Sequence, residues 1–379
     1  MNKAEELALK VKEKGGRAFY VGGYVRDFLM HKENKDIDIE VHGLDENVLL
    51  EILNEIGRVN YFGKSFGIYS LEGENIEIAM PRSEKLVGSG HKDFLIDVDK
   101  DLGYKKAALR RDFTINAIMM DVLSGEILDF FNGREDLHKG IIRHINDEKF
   151  QEDPLRVVRA CQFAARFNFS IADETIELCK KIDISTLPCE RIEEELKKAL
   201  TKSNNPFLFF DYLKKMNITL YFNNLNCFNH LNKYGNQEEV HNTYYFKMAL
   251  IAIDNKDYLK SFKQFTNNKE LLQYVKKIVD LYNSLFKDKT DFIMKMLSFP
   301  HFFDITYMLN EKENEYFKDC YKRYQELKGE LISGETLINW GYKPNEKFGQ
   351  ILEYAKRLQI KGCEKEQIRL MILKIFTKK

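Results

Sequence analysis

The sequence predicts an α+β chain: a small mixed sheet flanked by helices near the N-terminus, then a long all-α remainder. Three observations carry this expectation. Short alternating apolar runs bounded by glycines recur between Ala18 and Met120. After Ile145 the strand pattern disappears and apolar residues recur at helical spacing. The 379 residues, 44% of them hydrophobic, are more than one core usually holds, so two or more folded domains are expected.

Residues 3 to 14 read as a short amphipathic helix with Leu7 and Val11 on one side, ended by Gly15-Gly16. A strand from Ala18 to Gly22 follows, and then a second from Ile37 to Val41. Asn47 to Ile56 is a helix stopped by Gly57. Alternation from Arg58 to Met80, with Gly73 at a turn, predicts a hairpin. Pro81 to Lys92 has basic residues, two glycines and no periodicity, and reads as an exposed, mobile loop. Leu102 to Met120 holds R-R-D-F-T-I-N-A-I and leads into a short strand. Asp153-Pro154 opens a helix to Phe167, with Asp at the N-cap and Pro at the first helical position. Further helices run from Asp173 to Ile182 and from Glu190 to Leu200, and beyond Pro206 the chain is aromatic-rich and helical.

The chemistry concentrates between Tyr20 and Glu40. A strand ends in Gly22-Gly23, and the next strand brings Asp36 and Asp38. Residues two apart on a strand project from one face, so these carboxylates converge. Two converging carboxylates beside a glycine turn suit a divalent cation that also holds a nucleoside triphosphate. Glu77, in I-E-I on a neighbouring strand, is a candidate third carboxylate, and a solvent-facing strand position explains it equally well.

Composition narrows the remaining classes. Lys+Arg and Asp+Glu both total 59, so any RNA contact must come from local basic patches. The six cysteines form no C-x-x-C pair and read as reduced thiols, not zinc ligands or a disulfide frame. The charged N-terminus M-N-K-A-E-E and the lack of a membrane-length apolar run make a cytoplasmic protein the expectation. No obligate protein partner is evident. The stretch around His241 faintly resembles the helix of His-Asp phosphohydrolase domains, but no adjacent His-Asp pair occurs, so His230 and His241 read as scaffold.

The ordered series G-G-Y-V-R-D (22–27), K-D-I-D-I-E (35–40), R-R-D-F-T-I-N-A-I (110–118), F-F-N-G-R-E-D-L (130–137), E-D-P-L-R-V-V-R-A (152–160) and E-R-I-E-E-E-L (190–196) closely resembles the class II tRNA nucleotidyltransferases. These are the CCA-adding enzymes and their bacterial poly(A) polymerase relatives. Gly88 to Phe94 resembles that family's flexible loop, and Gly334 to Asn345 a tail segment of some members. The resemblance implies a polymerase-β-like head over residues 1–140, a helical neck over 141–205, a helical body over 206–290 and a tRNA-binding tail over 291–379.

It also implies roles. Asp36 and Asp38 match the carboxylates that hold two magnesium ions. Gly23 matches a close backbone approach to phosphate, and Arg26 and Arg111 match triphosphate ligands. Arg110 reads as a solvated charge, and Asp112 as a residue facing the ribose. Asp153 and Arg156 match the pair that selects the base. A carboxylate accepts from the exocyclic amino group of cytosine or adenine while a guanidinium donates to the ring nitrogen; uracil and guanine present the opposite polarity. Arg159, one turn on, would reach the nucleotide, and Gln162 stands where many relatives carry an arginine. RNA contacts are expected from Lys197, Lys198, Lys374, Lys378 and Lys379. The implied reaction is addition of C, C and A to the tRNA acceptor end from CTP and ATP. The alternatives are an A-adding or CC-adding member of a split pair, a poly(A) polymerase, or a small-molecule nucleotidyltransferase. The Pro81–Lys92 loop argues against a CC-only enzyme.

Overall fold

The computed structural model describes residues 2–61, 67–86, 94–218, 220–327 and 331–376. It divides into two compact units, one up to Leu220 and one from Tyr221.

In the first unit, helix α1 (Lys3–Glu13) starts from a capping box in which Asn2 and Glu5 exchange hydrogen bonds. Strands β1 (Arg17–Tyr20) and β2 (Ile37–His42) flank α2 (Gly23–Leu29), and α3 (Glu46–Ile56) follows. Strands β3 (Val59–Tyr61), β4 (Ile68–Leu71) and β5 (Ile76–Ala79) come next, with Gly73 at φ +83° in the expected hairpin turn. Then come β6 (Arg82–Leu86), β7 (Phe94–Val98), α4 (Tyr104–Leu109), β8 (Met119–Asp121) and β9 (Ile127–Leu128). The main sheet has the order β3-β4-β5-β2-β1-β8-β9, with β2 parallel to β5 and antiparallel to β1.

Alternation along β1 and β2 separates two cores. Ala18, Tyr20, Ile39 and Val41 face Leu7, Val11, Leu49 and Leu53 of α1 and α3. Phe19 and Val21 face the other way, packing with Ala108, Ala117 and Met119. Glu40 and His42 alternate with Ile39 and Val41, so they belong to this second face, as does Asp38.

The Pro81–Lys92 segment departs from the expected loop. Its residues 82–86 are β6, paired antiparallel to β7 in full register from Arg82↔Val98 to Leu86↔Phe94. R-S-E-K-L is weak strand material by itself; the partner F-L-I-D-V supplies the ladder. Residues 87–92 of that segment lie outside the described residues, as do residues 88–93 of the family loop, Lys378 and Lys379.

Beyond β9, α5 (Gly133–Lys139), β10 (Ile141–Ile142) and α6 (Asp147–Gln151) lead to α7 (Leu155–Phe167). After α7 a two-residue strand, β11 (Ser170–Ile171), pairs parallel to β10, so the strand pattern does not end at Ile145. Two residues are too few for periodicity to register. Helices α8 (Asp173–Cys179), α9 (Cys189–Thr201) and α10 (Phe207–Lys215) complete the unit. Helix α7 is buried along most of its length, with Val157, Val158, Ala160, Cys161 and Ala164 inaccessible, which fixes the direction of its arginines.

The second unit is helical: α11 (Asn229–Tyr234), α12 (Thr243–Asp254), α13 (Tyr258–Phe265), α14 (Lys269–Tyr282), α15 (Lys289–Leu297), α16 (Glu311–Leu327), α17 (Gly334–Asn339), α18 (Phe348–Ile360) and α19 (Lys365–Ile375). Leu337, Trp340, Tyr342, Ile351, Ile368 and Ile372 form a core of their own near its end. All six cysteines are free thiols, and Cys161, Cys179 and Cys320 are buried. Among the described residues no helix is long and apolar enough to cross a membrane.

Candidate nucleotide site on the head

The site is built on β2. Asp38 sits opposite Glu77 of β5, and paired residues of parallel strands share a face, so Glu77 stands beside it. Asp36 lies one residue before β2 and is exposed; its N–H donates to Asn34 Oδ1 at 2.9 Å. Burial pushes the Asp38 carboxyl above the ordinary range; Arg111 opposes this, while Glu77 and Asp36 add to it. Three carboxylates therefore gather at one end of two adjacent strands.

The turn after β1 closes on them. Gly22 has φ +66° and ψ −132°, a conformation that glycine adopts without strain. A methyl group on Gly22 would lie 3.0 Å from Arg111 Nη1 and 3.2 Å from Asp38 Oδ2. Gly22, not Gly23, is thus the position that demands the absence of a side chain. Gly23 is the first residue of α2, and its nearest neighbour is Arg26 Nη2, 3.4 Å from where a Cβ would stand. Only a backbone angle separates the two glycines, and G-G in sequence does not reveal it.

Arg26 departs from the expectation that it faces the triphosphate. It is 3% exposed, pairs with Asp27 at 2.7 Å and donates to Asn116 Oδ1 at 2.7 Å. Its guanidinium also lies over the ring of Phe167 at 4.6 Å. It braces the glycine turn from below. Arg110 likewise is not a solvated charge: its Nη2 donates to Glu40 Oε2 at 2.8 Å. Arg111 Nη2 lies 3.7 Å from the same oxygen, and His42 Nε2 is 2.9 Å from Glu40 Oε1. Burial would raise the Glu40 carboxyl, but His42, Arg110 and Arg111 outweigh it and hold it well below the usual carboxylate range. Neither burial was legible, because the partners lie 70 and 90 residues away in the chain.

Helix α7 joins this site through backbone groups. Arg156 Nη1 donates to the carbonyl of Lys149 at 2.9 Å and Nη2 to that of Arg110 at 2.6 Å. Asp153 Oδ1 accepts from the Leu155 N–H at 3.1 Å, the capping contact expected of it, although Pro154 rather than Asp153 immediately precedes the helix. Both Asp153 oxygens also meet Arg191 of α9, at 3.3 and 3.2 Å. The Asp153 and Arg156 side chains do not bond each other; Arg156 N–H donates to the Asp153 carbonyl at 3.0 Å. Arg191 was not singled out in sequence, and its only signal was its place in E-R-I-E-E-E-L.

Arg159 donates to Asp112 Oδ2 from Nε at 2.9 Å, and Asn116 holds Oδ1 of the same carboxylate at 2.9 Å. Asp112 is thus saturated by protein groups instead of turned to open space. Gln162 is 2% exposed, and among the described residues its Nε2 has no hydrogen-bond acceptor. A neutral amide tolerates that burial far better than the guanidinium of an arginine would. In the second unit, His230 is held by Asp254 at 2.6 Å and Tyr282 at 3.0 Å, while His241 stacks on His301.

Among the described residues no group of three or more His, Cys, Asp or Glu side chains is placed to hold a metal ion by itself. Magnesium does not require one, since it commonly binds one or two carboxylates together with substrate phosphates. Asp38, desolvated and crowded by two other carboxylates, is a position a divalent cation would relieve.

Residues 18–143 match the poly(A) polymerase head domain. A Multifunctional CCA protein of Haemophilus ducreyi is 38% identical over 206 residues, covering 52% of this chain and 48% of that one, so the chain spans about half the length of the curated relatives it matches. A CCA-adding enzyme solved with ATP superposes with a TM-score of 0.72 at 23% identity, covering 98% of this chain and 94% of that one. A Thermotoga maritima CCA-adding enzyme complexed with tRNA superposes at 0.66, also with 23% identity, covering 97% and 93%. The head-domain match covers the sheet-bearing part of the chain, and the solved CCA-adding enzymes share its fold along nearly all of its length.

Proposed function

We propose that the chain adds C, C and A to the 3′ end of tRNA from CTP and ATP, without a nucleic-acid template. The observation that carries this reading is the edge on which Asp38, with Asp36 and Glu77 beside it, faces Arg111 across Gly22, with α7 tied to the same edge through Arg110. In the reaction the RNA 3′-hydroxyl oxygen bonds to the α-phosphorus, the bond to the β-phosphate oxygen breaks, and pyrophosphate leaves with that electron pair. Such chemistry needs alignment and charge neutralisation more than covalent help. Two magnesium ions at Asp36 and Asp38 would neutralise phosphate charge and lower the pKa of the attacking hydroxyl. Arg111 meets the triphosphate, and the glycine turn lets phosphate oxygens approach the backbone.

Base choice falls to α7. Asp153 accepts from the exocyclic amino group, Arg156 donates to the ring nitrogen, and the Asp112–Arg159 pair stiffens the adjoining wall. The Lys149 and Arg110 carbonyls already fix the plane of the Arg156 guanidinium, which leaves less ordering for the nucleotide to impose. The head (1–140) holds the reacting groups, the neck (141–205) reads the base, and the body (206–290) and tail (291–379) hold the RNA, with the cytoplasmic tRNA pool as the setting.

The test uses purified protein, magnesium, each labelled nucleotide in turn, and tRNAs ending before C, C or A. Incorporation of C at the first two ends and of A at the third is expected. Addition of A alone or of C alone would assign one half of a split pair, and long A tracts a poly(A) polymerase. No incorporation at any end would overturn the reading.

A further inference from the structure

We propose that Glu40 is the positioning residue of the nucleotide site, holding Arg110 and Arg111 so that Arg111 presents its free edge over the Gly22 turn. This rests on the reading of Arg111 as a triphosphate ligand.

The geometry is that of one fork used at both ends. Arg111 Nη2 lies 3.7 Å from Glu40 Oε2, an ion-pair distance, while its Nη1 is the group 3.0 Å from a would-be Gly22 methyl. A guanidinium is planar, so attraction of one nitrogen to the buried carboxylate biases the direction of the other. The anchor is itself immobile. Glu40 is 1% exposed, its Oε2 also takes Arg110 at 2.8 Å, and its Oε1 meets His42 at 2.9 Å. The His42 ring is set edge-on against Phe19 and Tyr104, at 5.7 and 4.9 Å between centroids.

A carboxylate so deeply buried is costly unless paired, and its partners are the two arginines beside the reacting edge. Glu40 also shares the face of β2 that carries Asp38, one strand step further into the sheet. It touches neither substrate nor reacting atoms, so it acts through Arg111.

Equilibrium binding of CTP and of ATP to the full chain, measured calorimetrically with magnesium and without RNA, tests this. Glu40→Gln keeps the shape and removes the charge; it raises the nucleotide Kd about tenfold, the equivalent of one charge-assisted hydrogen bond. Glu40→Asp keeps the charge a methylene short and raises Kd only about threefold. In an Arg111→Ala background neither substitution weakens binding by more than about twofold, because residues acting through one another are not additive. An irreversibly misfolded fraction would lower the number of sites and leave Kd unchanged, whereas a reversible loosening of the head would raise Kd just as much in the Arg111→Ala background. Should Glu40→Gln not fold, the Glu40→Asp and Arg111→Ala cycle reads the same coupling. Unchanged Kd in a folded Glu40 variant, or effects that multiply with Arg111→Ala, overturns the inference while tRNA extension by the wild type stands. Wild-type protein that binds CTP yet extends no tRNA overturns the proposed reaction and leaves Glu40 judged by binding. Wild-type protein that binds no nucleotide overturns both.

Discussion

Arg191 of α9 meets both carboxylate oxygens of Asp153 at the mouth of α7, at 3.3 and 3.2 Å. Asp153 is thereby held from two sides, since Leu155 N–H also donates to it. Its free rotamers are few before any base arrives.

Arg191→Ala therefore loosens Asp153 without touching Asp38 or Arg111. The ratio of kcat/KM for CTP over UTP is expected to fall about tenfold, a change of about 1.4 kcal/mol. Steady-state kinetics on a tRNA lacking its terminal CCA measures it, and an unchanged ratio would show that Asp153 needs no second restraint.

Asp38→Asn is expected to abolish nucleotide addition and yet stabilise the metal-free protein at neutral pH. The folded-state pKa of Asp38 is raised, chiefly by burial. A raised carboxyl favours folding when protonated, below its unfolded value, and that contribution is lost as pH rises through the folded value. At pH 7 the crowded anion opposes folding, and asparagine removes it. Thermal unfolding in EDTA should show the variant melting above wild type at pH 7, with the gap closing toward pH 4. A variant melting below wild type at pH 7 contradicts this.

Gly22→Ala forces an L-residue to φ +66° and sets its methyl 3.0 Å from Arg111 Nη1. A loss of about 1–3 kcal/mol of stability is expected, together with a weaker nucleotide Kd as Arg111 is displaced. Gly23→Ala, in a helical position with 3.4 Å to its nearest neighbour, is expected to be much milder. Denaturant unfolding and nucleotide binding on both variants decide between the glycines.

Arg26→Ala strips a buried ion pair of its close partner and leaves Asp27, 4% exposed, with Asn34 at 2.9 Å and a more distant Arg166 at 3.8 Å. A loss toward the lower end of about 3–5 kcal/mol of stability is expected. Chemical denaturation checks it. A well-folded Arg26→Ala protein with only a raised nucleotide KM would restore the triphosphate role suggested by the sequence.

The legibility of the site was uneven for physical reasons. Asp36, Asp38 and the hairpin turn at Gly73 were readable because strand alternation and glycine punctuation are local signals. The strand at 82–86 was not, because its ladder depends on the partner strand at 94–98, which its own residue types do not reveal. The burial of Arg26 and Arg110, the saturation of Asp112 and the grip of Arg191 on Asp153 are all long-range pairings. Sequence names the residue types, while packing alone decides whether a guanidinium faces solvent, a carbonyl or a carboxylate.

Strand β2 is hydrogen-bonded on both sides, to β1 and to β5, and it carries Asp38 and Glu40 along one face. Local fraying, which frees helix ends and loop tips first, cannot reach these groups. Their amides should exchange with solvent only in openings that separate the middle of the sheet. Asp38 and Glu40 then share one fate: they stay in place or are lost together with the middle of the sheet.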